Sequence, residues 1–201
     1  MIEVTKDGGL LTLTLNRPEK ANALTAAMLA DLEAALAGPP PAALILTGVG
    51  KVFSAGADLE EMQAGLGRNP AWERVSAAIA ALPCPTIAAL NGTLAGGAMG
   101  LALACDMRLA VTGAKFFYPV MRLGFLPQPS DPARLAALIG PARAKMILLA
   151  GTRIEAEEAQ AWGLIERICA PEALMATARA LMADALAAKA GHSAAIKALI
   201  G

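Results

Sequence analysis

The segments Phe53-Ser54-Ala55-Gly56-Ala57-Asp58-Leu59 and Asn91-Gly92-Thr93-Leu94-Ala95-Gly96-Gly97 are glycine-bearing turns that decide the interpretation of this chain. Each follows an apolar run that predicts a buried strand, residues 42–47 for the first and 86–90 for the second. Each also stands where a helix is predicted to begin. Such a turn leaves backbone N–H groups unpaired at the positive end of the helix dipole. Two of them facing each other would stabilise an oxyanion that develops on a carbonyl.

Either turn alone has a purely structural explanation, because glycine is common where a Cβ would collide with neighbouring backbone. The surrounding motifs favour a functional role. In chain order they are Asn16-Arg17-Pro18-Glu19-Lys20-Ala21-Asn22-Ala23-Leu24, the two turns, Arg122-Leu123-Gly124-Phe125-Leu126-Pro127, and Gly151-Thr152 with Glu157, Ala159 and Trp162-Gly163-Leu164-Ile165. This order and spacing resemble the enoyl-CoA hydratase/isomerase (crotonase) family, from about Val4 to about Ala173.

The resemblance implies an α/β fold, the crotonase-like (ClpP/crotonase) spiral of ββα units in two roughly perpendicular sheets. We expect a core domain over residues 1–168 and a truncated C-terminal helical segment over 169–201, a shortened version of the region that usually covers the CoA site. The resemblance also implies a homo-oligomer, a trimer or a dimer of trimers. Its substrate would be an acyl-CoA thioester, with no permanently bound cofactor and no metal.

Composition sets limits on partners and compartment. Hydrophobic residues make up 56% of the 201 and charged residues 17%, and the 17 basic and 17 acidic side chains cancel. No basic field is therefore expected to attract nucleic acid or anionic lipid. The uncharged stretch 86–105 is long enough for a membrane span, but Asn91 and its glycines favour a strand, a turn and a buried helix. Three widely spaced cysteines without metal-ligand partners, and no signal peptide, predict a cytoplasmic protein.

Hydrophobic periodicity predicts the elements between the motifs. Strands are predicted over residues 4–5, 10–15, 42–47, 86–90, 107–111, 115–117 and 164–168. Helices are predicted over 25–37, 59–62, 71–82, 97–104, 131–139, 141–150, 155–162 and 171–189, the first with Thr25 as N-cap. The glycine-rich segment 65–70 is predicted to be mobile, which makes it a candidate substrate lid.

The resemblance assigns site residues one by one. The backbone N–H groups of Ala57 and Gly97 would hold the thioester carbonyl, with Gly56 and Gly96 allowing close approach. The stretches that match Lys20 to Ala23 and Ala55 to Leu59 would border the adenine and pantetheine. The substrate- or CoA-binding set is Lys20, Ala21, Ala23, Ala55, Gly56, Asp58, Leu59, Gly96, Gly100 and Val120. Lys20 could instead be a solvated loop lysine, and we expect Asp58 to brace its own turn rather than to catalyse.

Two departures bear on the reaction. Hydratases of the family use two glutamates, and here the matching positions are Gly100 and Val120, neither of which can move a proton. Relatives without these glutamates often place a polar group where this chain has Gln128, which we expect to orient a substrate carboxylate or water.

Other polar residues have simpler explanations. Asp131-Pro132 is typical of a helix N-cap. We expect Tyr118 to be a packing ring, His192 to lie on the surface, and a catalytic role for Glu61 to be the less favoured alternative.

Three functions remain open on the sequence. The first is an acyl-CoA enzyme that polarises a thioester carbonyl for decarboxylation, isomerisation or hydrolysis rather than hydration. The second is a non-catalytic, degenerate crotonase that binds acyl-CoA or a partner protein. The third is an α/β protein whose glycine turns are only structural.

Overall fold

The computed structural model describes residues 1–200, in which ten strands form two sheets with helices packed around them. The strands are β1 (Ile2–Asp7), β2 (Leu10–Leu15), β3 (Ala43–Gly48), β4 (Val52–Ser54), β5 (Thr86–Leu90), β6 (Thr93–Ala95), β7 (Met107–Val111), β8 (Lys115–Phe117), β9 (Ile154–Glu155) and β10 (Arg167–Cys169). The helices are α1 (Ala26–Leu36), α2 (Leu59–Gln63), α3 (Ala71–Ala80), α4 (Met99–Leu103), α5 (Val120–Leu123), α6 (Asp131–Ile139), α7 (Pro141–Leu148), α8 (Ala156–Trp162), α9 (Leu174–Ala187) and α10 (His192–Ile200). This is the α/β architecture that the sequence predicts.

The larger sheet has the strand order β1-β2-β3-β5-β7-β10. Only the β1–β2 pair is antiparallel, and the other pairs are parallel. Every residue of β5, and all of β3 except Gly48, is buried, as expected for parallel strands covered on both faces. Helix α9 covers one face by packing against β3, β5 and β7.

The smaller sheet places the glycine turns side by side, and it corrects one prediction. Its order is β4-β6-β8-β9, with β4, β6 and β8 mutually parallel. The two turns directly follow β4 and β6, not the longer β3 and β5 as predicted. Strands of three residues are too short to show a period in sequence. Because β4 and β6 are parallel neighbours, their carboxyl ends, and therefore the turns, lie next to each other.

Helix α1 begins as predicted. Its N-cap Thr25 accepts a hydrogen bond from the Met28 N–H at 3.1 Å, a type of contact worth about 1 kcal/mol. Its buried face, formed by Met28, Leu29 and Leu32, packs against α3.

The remaining differences lie at element ends. The strand predicted over 164–168 begins at Arg167, because the Leu164 N–H bonds to the Ala159 carbonyl at 2.8 Å and so completes the end of α8. The helix predicted over 97–104 is a 3-10 turn, Gly96–Ala98, followed by α4.

The C-terminal part is helical, but its division differs from the prediction. The helix predicted over 171–189 is a 3-10 turn, Pro171–Ala173, followed by α9. Helix α10 was not predicted; its Lys197 forms an ion pair with Asp106 at 2.9 Å. His192 is exposed on α10, as expected. The proposed domain boundary after residue 168 falls inside β10 and stays a prediction. Of the helices in residues 1–200, none has the length and apolarity that a membrane span requires.

Candidate active site

In the first turn, hydrogen bonds form on either side of Ala57 but not at its own N–H. Leu24 donates its N–H to the Gly56 carbonyl at 2.7 Å and accepts from the Asp58 N–H at 2.9 Å. Ala57 lies between these two bonds, and its own N–H has no hydrogen-bond partner within residues 1–200. Gly56 adopts φ +95°, a conformation in which glycine is strongly favoured. The turn therefore presents one free backbone donor at Ala57.

A buried asparagine holds the segment before α1 against this turn. Asn22 is fully buried at φ +52°, and its amide donates to the Val49 and Val52 carbonyls at 2.9 and 2.8 Å. The Ala21 carbonyl in turn accepts from the Ala55 N–H at 2.9 Å. The stretch predicted to border CoA is thus fixed beside the first turn.

Asp58 braces its own turn, as expected. One carboxylate oxygen accepts from the Glu60 and Glu61 N–H groups at 3.1 and 3.3 Å, and the other accepts from Arg17 at 2.7 Å. The bond from Arg17, followed by the bond from the Glu61 N–H, lowers the pKa of this carboxyl below its usual value. The Glu61 carboxylate accepts the Ala26 N–H at 2.7 Å, so it caps α1. That contact accounts for Glu61 without a catalytic role.

The second turn presents a matching donor. Gly96 adopts φ +56°, and the Gly97 N–H has no hydrogen-bond partner within residues 1–200. A Cβ built on Gly97 would lie 3.2 Å from the Trp72 ring, so the ring closes one side of the turn. The Trp72 indole N–H donates to the Leu66 carbonyl at 2.9 Å, which fixes the ring.

Ala57 and Gly97 both line one cavity of about 290 Å³. Its wall is mainly apolar, and Gln63, Tyr118 and Gln128 supply its polar side chains apart from the bonded indole of Trp72. The lining residues are Ala55, Ala57, Leu59, Met62, Gln63, Gly67, Trp72, Gly96, Gly97, Tyr118, Pro119, Val120, Leu123, Phe125, Leu126 and Gln128. The structure thus brings seven predicted site residues to one place: Ala55, Ala57, Leu59, Gly96, Gly97, Val120 and Gln128.

Other predicted site residues do not line this cavity. They are Lys20, Ala21, Ala23, Gly56, Asp58 and Gly100. Lys20 is exposed on a 3-10 turn, Pro18–Lys20, and the Ala23 carbonyl accepts from Arg17 at 3.0 Å. Gly56 has no side chain that would collide with the second turn, so it permits contact between the turns. Contact between CoA and Lys20, Ala21 or Ala23 stays a prediction.

Gln128 connects the cavity to the segment that was predicted to be mobile. Its amide nitrogen donates to the Gly67 carbonyl at 3.1 Å. Leu66 is buried, and Leu66–Arg68 form a 3-10 turn. The Asn69 side chain accepts from the Ala71 N–H at 2.9 Å, so it caps the start of α3. Gly67 of this segment lines the cavity, and the hydrogen bonds attach the segment to α3 and to Gln128.

Asp131 has a different position from the one the sequence predicts. Ser130 occupies the N-cap of α6, and Asp131 is its first residue. The Asp131 carboxyl is 1% exposed and points inward, where it accepts a hydrogen bond from the Tyr118 hydroxyl at 2.9 Å. Its other oxygen would lie 2.5 Å from a Cβ built on Gly100. The N-cap interpretation was therefore wrong, because the carboxyl fills space left by a glycine of α4.

Burial changes the proton affinity of this pair. Desolvation raises the pKa of Asp131 to about 7, against the lowering effect of the bond from Tyr118. Desolvation also raises the pKa of Tyr118, so its hydroxyl keeps its proton at neutral pH. The sequence contains both residues, but no local signal shows that they meet. Trp72 was likewise missed, since nothing in its neighbourhood indicates contact with Gly97.

Comparisons with known proteins identify the family of this chain. A family model described as enoyl-CoA hydratase/isomerase matches residues 5–200. YngF, a Bacillus subtilis protein named for enoyl-CoA hydratase/isomerase, is 41% identical over 189 residues, which cover 89% of this chain and 72% of that protein. A crotonyl-CoA hydratase of Syntrophomonas wolfei is 38% identical over 185 residues, covering 87% and 71%.

Solved structures extend the match to the fold. The crystal structure of an enoyl-CoA hydratase/isomerase from Pseudoalteromonas atlantica superposes with a TM-score of 0.89 at 30% identity, covering 99% of this chain and 82% of that one. Together with the paired turns and their shared cavity, these matches show that the chain belongs to the enoyl-CoA hydratase/isomerase (crotonase) family.

Proposed function

We propose that this protein binds an acyl-CoA thioester and polarises its carbonyl with the N–H groups of Ala57 and Gly97. Two partnerless amides on neighbouring turns, both lining one apolar cavity, support this role. In such a site each donor acts without reorganisation, and loss of one donor typically costs about 3 kcal/mol of transition-state stabilisation. The carbonyl would acquire negative charge as an enolate or a tetrahedral species forms. Family membership supports the CoA ester as ligand.

The reaction we propose is loss of CO2 from a malonyl-type thioester, rather than hydration of an enoyl thioester. The observation that carries this choice is the cavity wall, whose lining residues include no carboxylate and no imidazole. The hydratase glutamate positions are Gly100 and Val120, and Val120 contributes only an alkyl surface. Decarboxylation needs no base to create the enolate, because the departing CO2 leaves its electron pair on the α-carbon. Isomerisation and hydrolysis each begin with removal of a proton by a base, whereas decarboxylation forms the enolate without that step.

A panel of thioesters tests this proposal. Purified protein is incubated with malonyl-CoA, methylmalonyl-CoA and crotonyl-CoA, and products are followed by liquid chromatography. We expect decarboxylated products and no hydration of crotonyl-CoA. Faster hydration than decarboxylation would overturn the choice of reaction.

Calorimetric titration with butyryl-CoA, which has no group to lose, separates binding from turnover. Binding without any product across the panel would favour the alternative function, a non-catalytic acyl-CoA-binding member of the family. Failure to bind any CoA ester would contradict both functions.

We further propose that the protein is a homo-oligomer, a trimer or a dimer of trimers. Exposed apolar side chains include Leu59, Leu123 and Leu126 of the cavity lining, and Met121 and Leu149 outside it. Such a surface is typical of contact with a partner or a ligand. Light scattering coupled to gel filtration measures the subunit number, and a monomer at micromolar concentration would contradict this proposal.

The cysteines support a reducing compartment, such as the cytoplasm. Cys84, Cys105 and Cys169 are all buried and unpaired. Desolvation raises the pKa of Cys84 to about 11 and that of Cys105 to about 12, so these two thiols stay protonated. Localisation of a tagged copy in intact cells tests this assignment, and recovery from an oxidising compartment would contradict it.

A further inference from the structure

One carboxyl near the cavity is unused by the proposed carbonyl polarisation. Asp131 is buried beneath the wall, and one of its oxygens, Oδ1, has no hydrogen-bond partner within residues 1–200. A buried carboxylate with an unsatisfied oxygen is costly, so its retention requires an explanation. Helix capping does not supply one, because the N-cap of α6 is Ser130 and the Asp131 carboxyl is bonded to Tyr118 instead.

The carboxyl lies in the volume that a side chain at Gly100 would enter. A Cβ built on Gly100 would lie 2.5 Å from Oδ1 and 3.0 Å from Oδ2 of Asp131. A residue larger than glycine at position 100 cannot coexist with this carboxyl unless one of the two moves. The chain therefore lacks an acid on α4 but has one against α4, contributed by α6.

Tyr118 connects this carboxyl to the cavity. Tyr118 lines the same cavity as Ala57 and Gly97, whereas Asp131 does not. The Tyr118 hydroxyl donates to Asp131 Oδ2 at 2.9 Å and accepts from the Gln128 N–H at 3.4 Å. A hydroxyl can accept one proton while it donates another, so it can pass a proton between two groups that never touch.

We propose that Tyr118 and Asp131 form a proton relay between the α-carbon of the bound thioester and the buried carboxyl. This inference rests on the proposed function. After CO2 leaves, the enolate oxygen is held by the two backbone donors, and the α-carbon takes the proton of the Tyr118 hydroxyl. The Tyr118 oxygen takes the proton of Asp131, and the resulting carboxylate later regains one from solvent. Each CO2 released therefore consumes one proton. Tyr118 is the catalytic residue, and Asp131 acts through it.

Charged groups around the relay set its pH range. Glu73 accepts the Ser130 N–H at 3.3 Å, and its charge raises the pKa of Asp131. The charge of Arg134, which donates to Ser76 Oγ, lowers the pKa of Asp131, and so does the hydrogen bond from Tyr118. Near neutral pH both protonation states of Asp131 are populated, so the relay can run in either direction.

Exchange of the α-protons of butyryl-CoA in D2O tests the relay without decarboxylation. Removal of an α-proton runs the relay backwards: Tyr118 takes that proton while it passes its own to the Asp131 carboxylate. Exchange, measured by proton NMR, should therefore require the ionised Asp131 carboxyl. The exchange rate should rise with pH up to about 7 and then level off. Tyr118→Phe and Asp131→Asn should each slow exchange by about 100-fold or more. Glu73 is a half-buried residue of α3, and Glu73→Gln should move the rise in exchange rate to lower pH.

The binding measurement separates the two proposals. If butyryl-CoA does not bind wild-type protein, the proposed function itself fails. If it binds but exchanges no faster than in buffer, or if Tyr118→Phe binds it and exchanges at the wild-type rate, the relay is overturned and the binding function stands. An unshifted pH profile in Glu73→Gln, whose fold is checked by circular dichroism, also overturns the relay.

Discussion

Gly56 and Gly96 contact each other across the two turns: a Cβ built on Gly56 would lie 3.2 Å from the Gly96 Cα and 3.0 Å from the Ala95 carbonyl oxygen. Both neighbouring atoms belong to backbone, so they cannot rotate away as a side chain could. The distance between the two proposed oxyanion donors therefore depends on the absence of a side chain at Gly56.

We predict that Gly56→Ala separates the turns and weakens acyl-CoA binding at least tenfold. The substitution combines strain at φ +95°, worth about 1–2 kcal/mol, with a backbone clash worth about 1–3 kcal/mol. Gly113→Ala is the matched control, because Gly113 also has positive φ, +75°, but open space at its Cβ. Thermal unfolding and calorimetric titration with butyryl-CoA measure both effects. Equal losses of stability and of binding in the two variants would show that backbone strain, and not the clash between the turns, causes the effect.

The residues of this contact illustrate what sequence could and could not predict. Their glycines, the helix starts after them and the buried strands of the larger sheet all follow from local pattern. The side-by-side placement of the turns depends on β4 and β6, whose three residues carry no measurable period. The Asp131 contact with Gly100 depends on how α4 packs against α6, which no local pattern encodes.

A second prediction concerns stability and pH. The pKa of Asp131 is raised from 3.8 to about 7 in the folded protein, so between these values the folded state holds the proton more tightly than the unfolded state. The contribution of Asp131 to the free energy of unfolding is therefore fully present below about pH 4. It is lost as pH rises to about 7, at up to about 1.4 kcal/mol per pH unit. Asp131→Asn mimics the neutral form and should be more stable than wild type at pH 8, with the difference shrinking as pH falls to 4.

Urea unfolding at several pH values measures that difference. Asp184→Asn, which alters an exposed carboxyl on α9, is the control and should show no comparable change. A constant difference between Asp131→Asn and wild type across pH 4–8 would contradict the raised pKa.

The third prediction concerns Gln128 and the loop it holds. Gln128→Ala should cost about 1 kcal/mol of stability, because it removes the hydrogen bond to the Gly67 carbonyl. It should also speed proteolytic cleavage within residues 65–70 and lower turnover of malonyl-CoA. Gln63→Ala is a suitable comparison, since Gln63 lines the same cavity but makes no side-chain hydrogen bond within residues 1–200. Cleavage at equal rates in the two variants would contradict the proposal that Gln128 anchors this loop.

The final prediction is a coupling between Gly100 and Asp131. Gly100→Ala places a Cβ 2.5 Å from a carboxylate oxygen inside a packed region, which should destabilise the protein by about 1–3 kcal/mol. In an Asp131→Ala background that carboxyl is gone, so the same change should cost much less, a coupling of at least about 1 kcal/mol. Urea unfolding of the two single variants and the double variant measures it, and Asp184→Ala replaces Asp131→Ala as the additive control. The same collision means that the larger side chain of Gly100→Glu should destabilise the wild-type protein more than the Asp131→Ala variant. Additive costs in the Asp131→Ala cycle, within about 0.5 kcal/mol, would show that the carboxyl does not occupy this volume in solution.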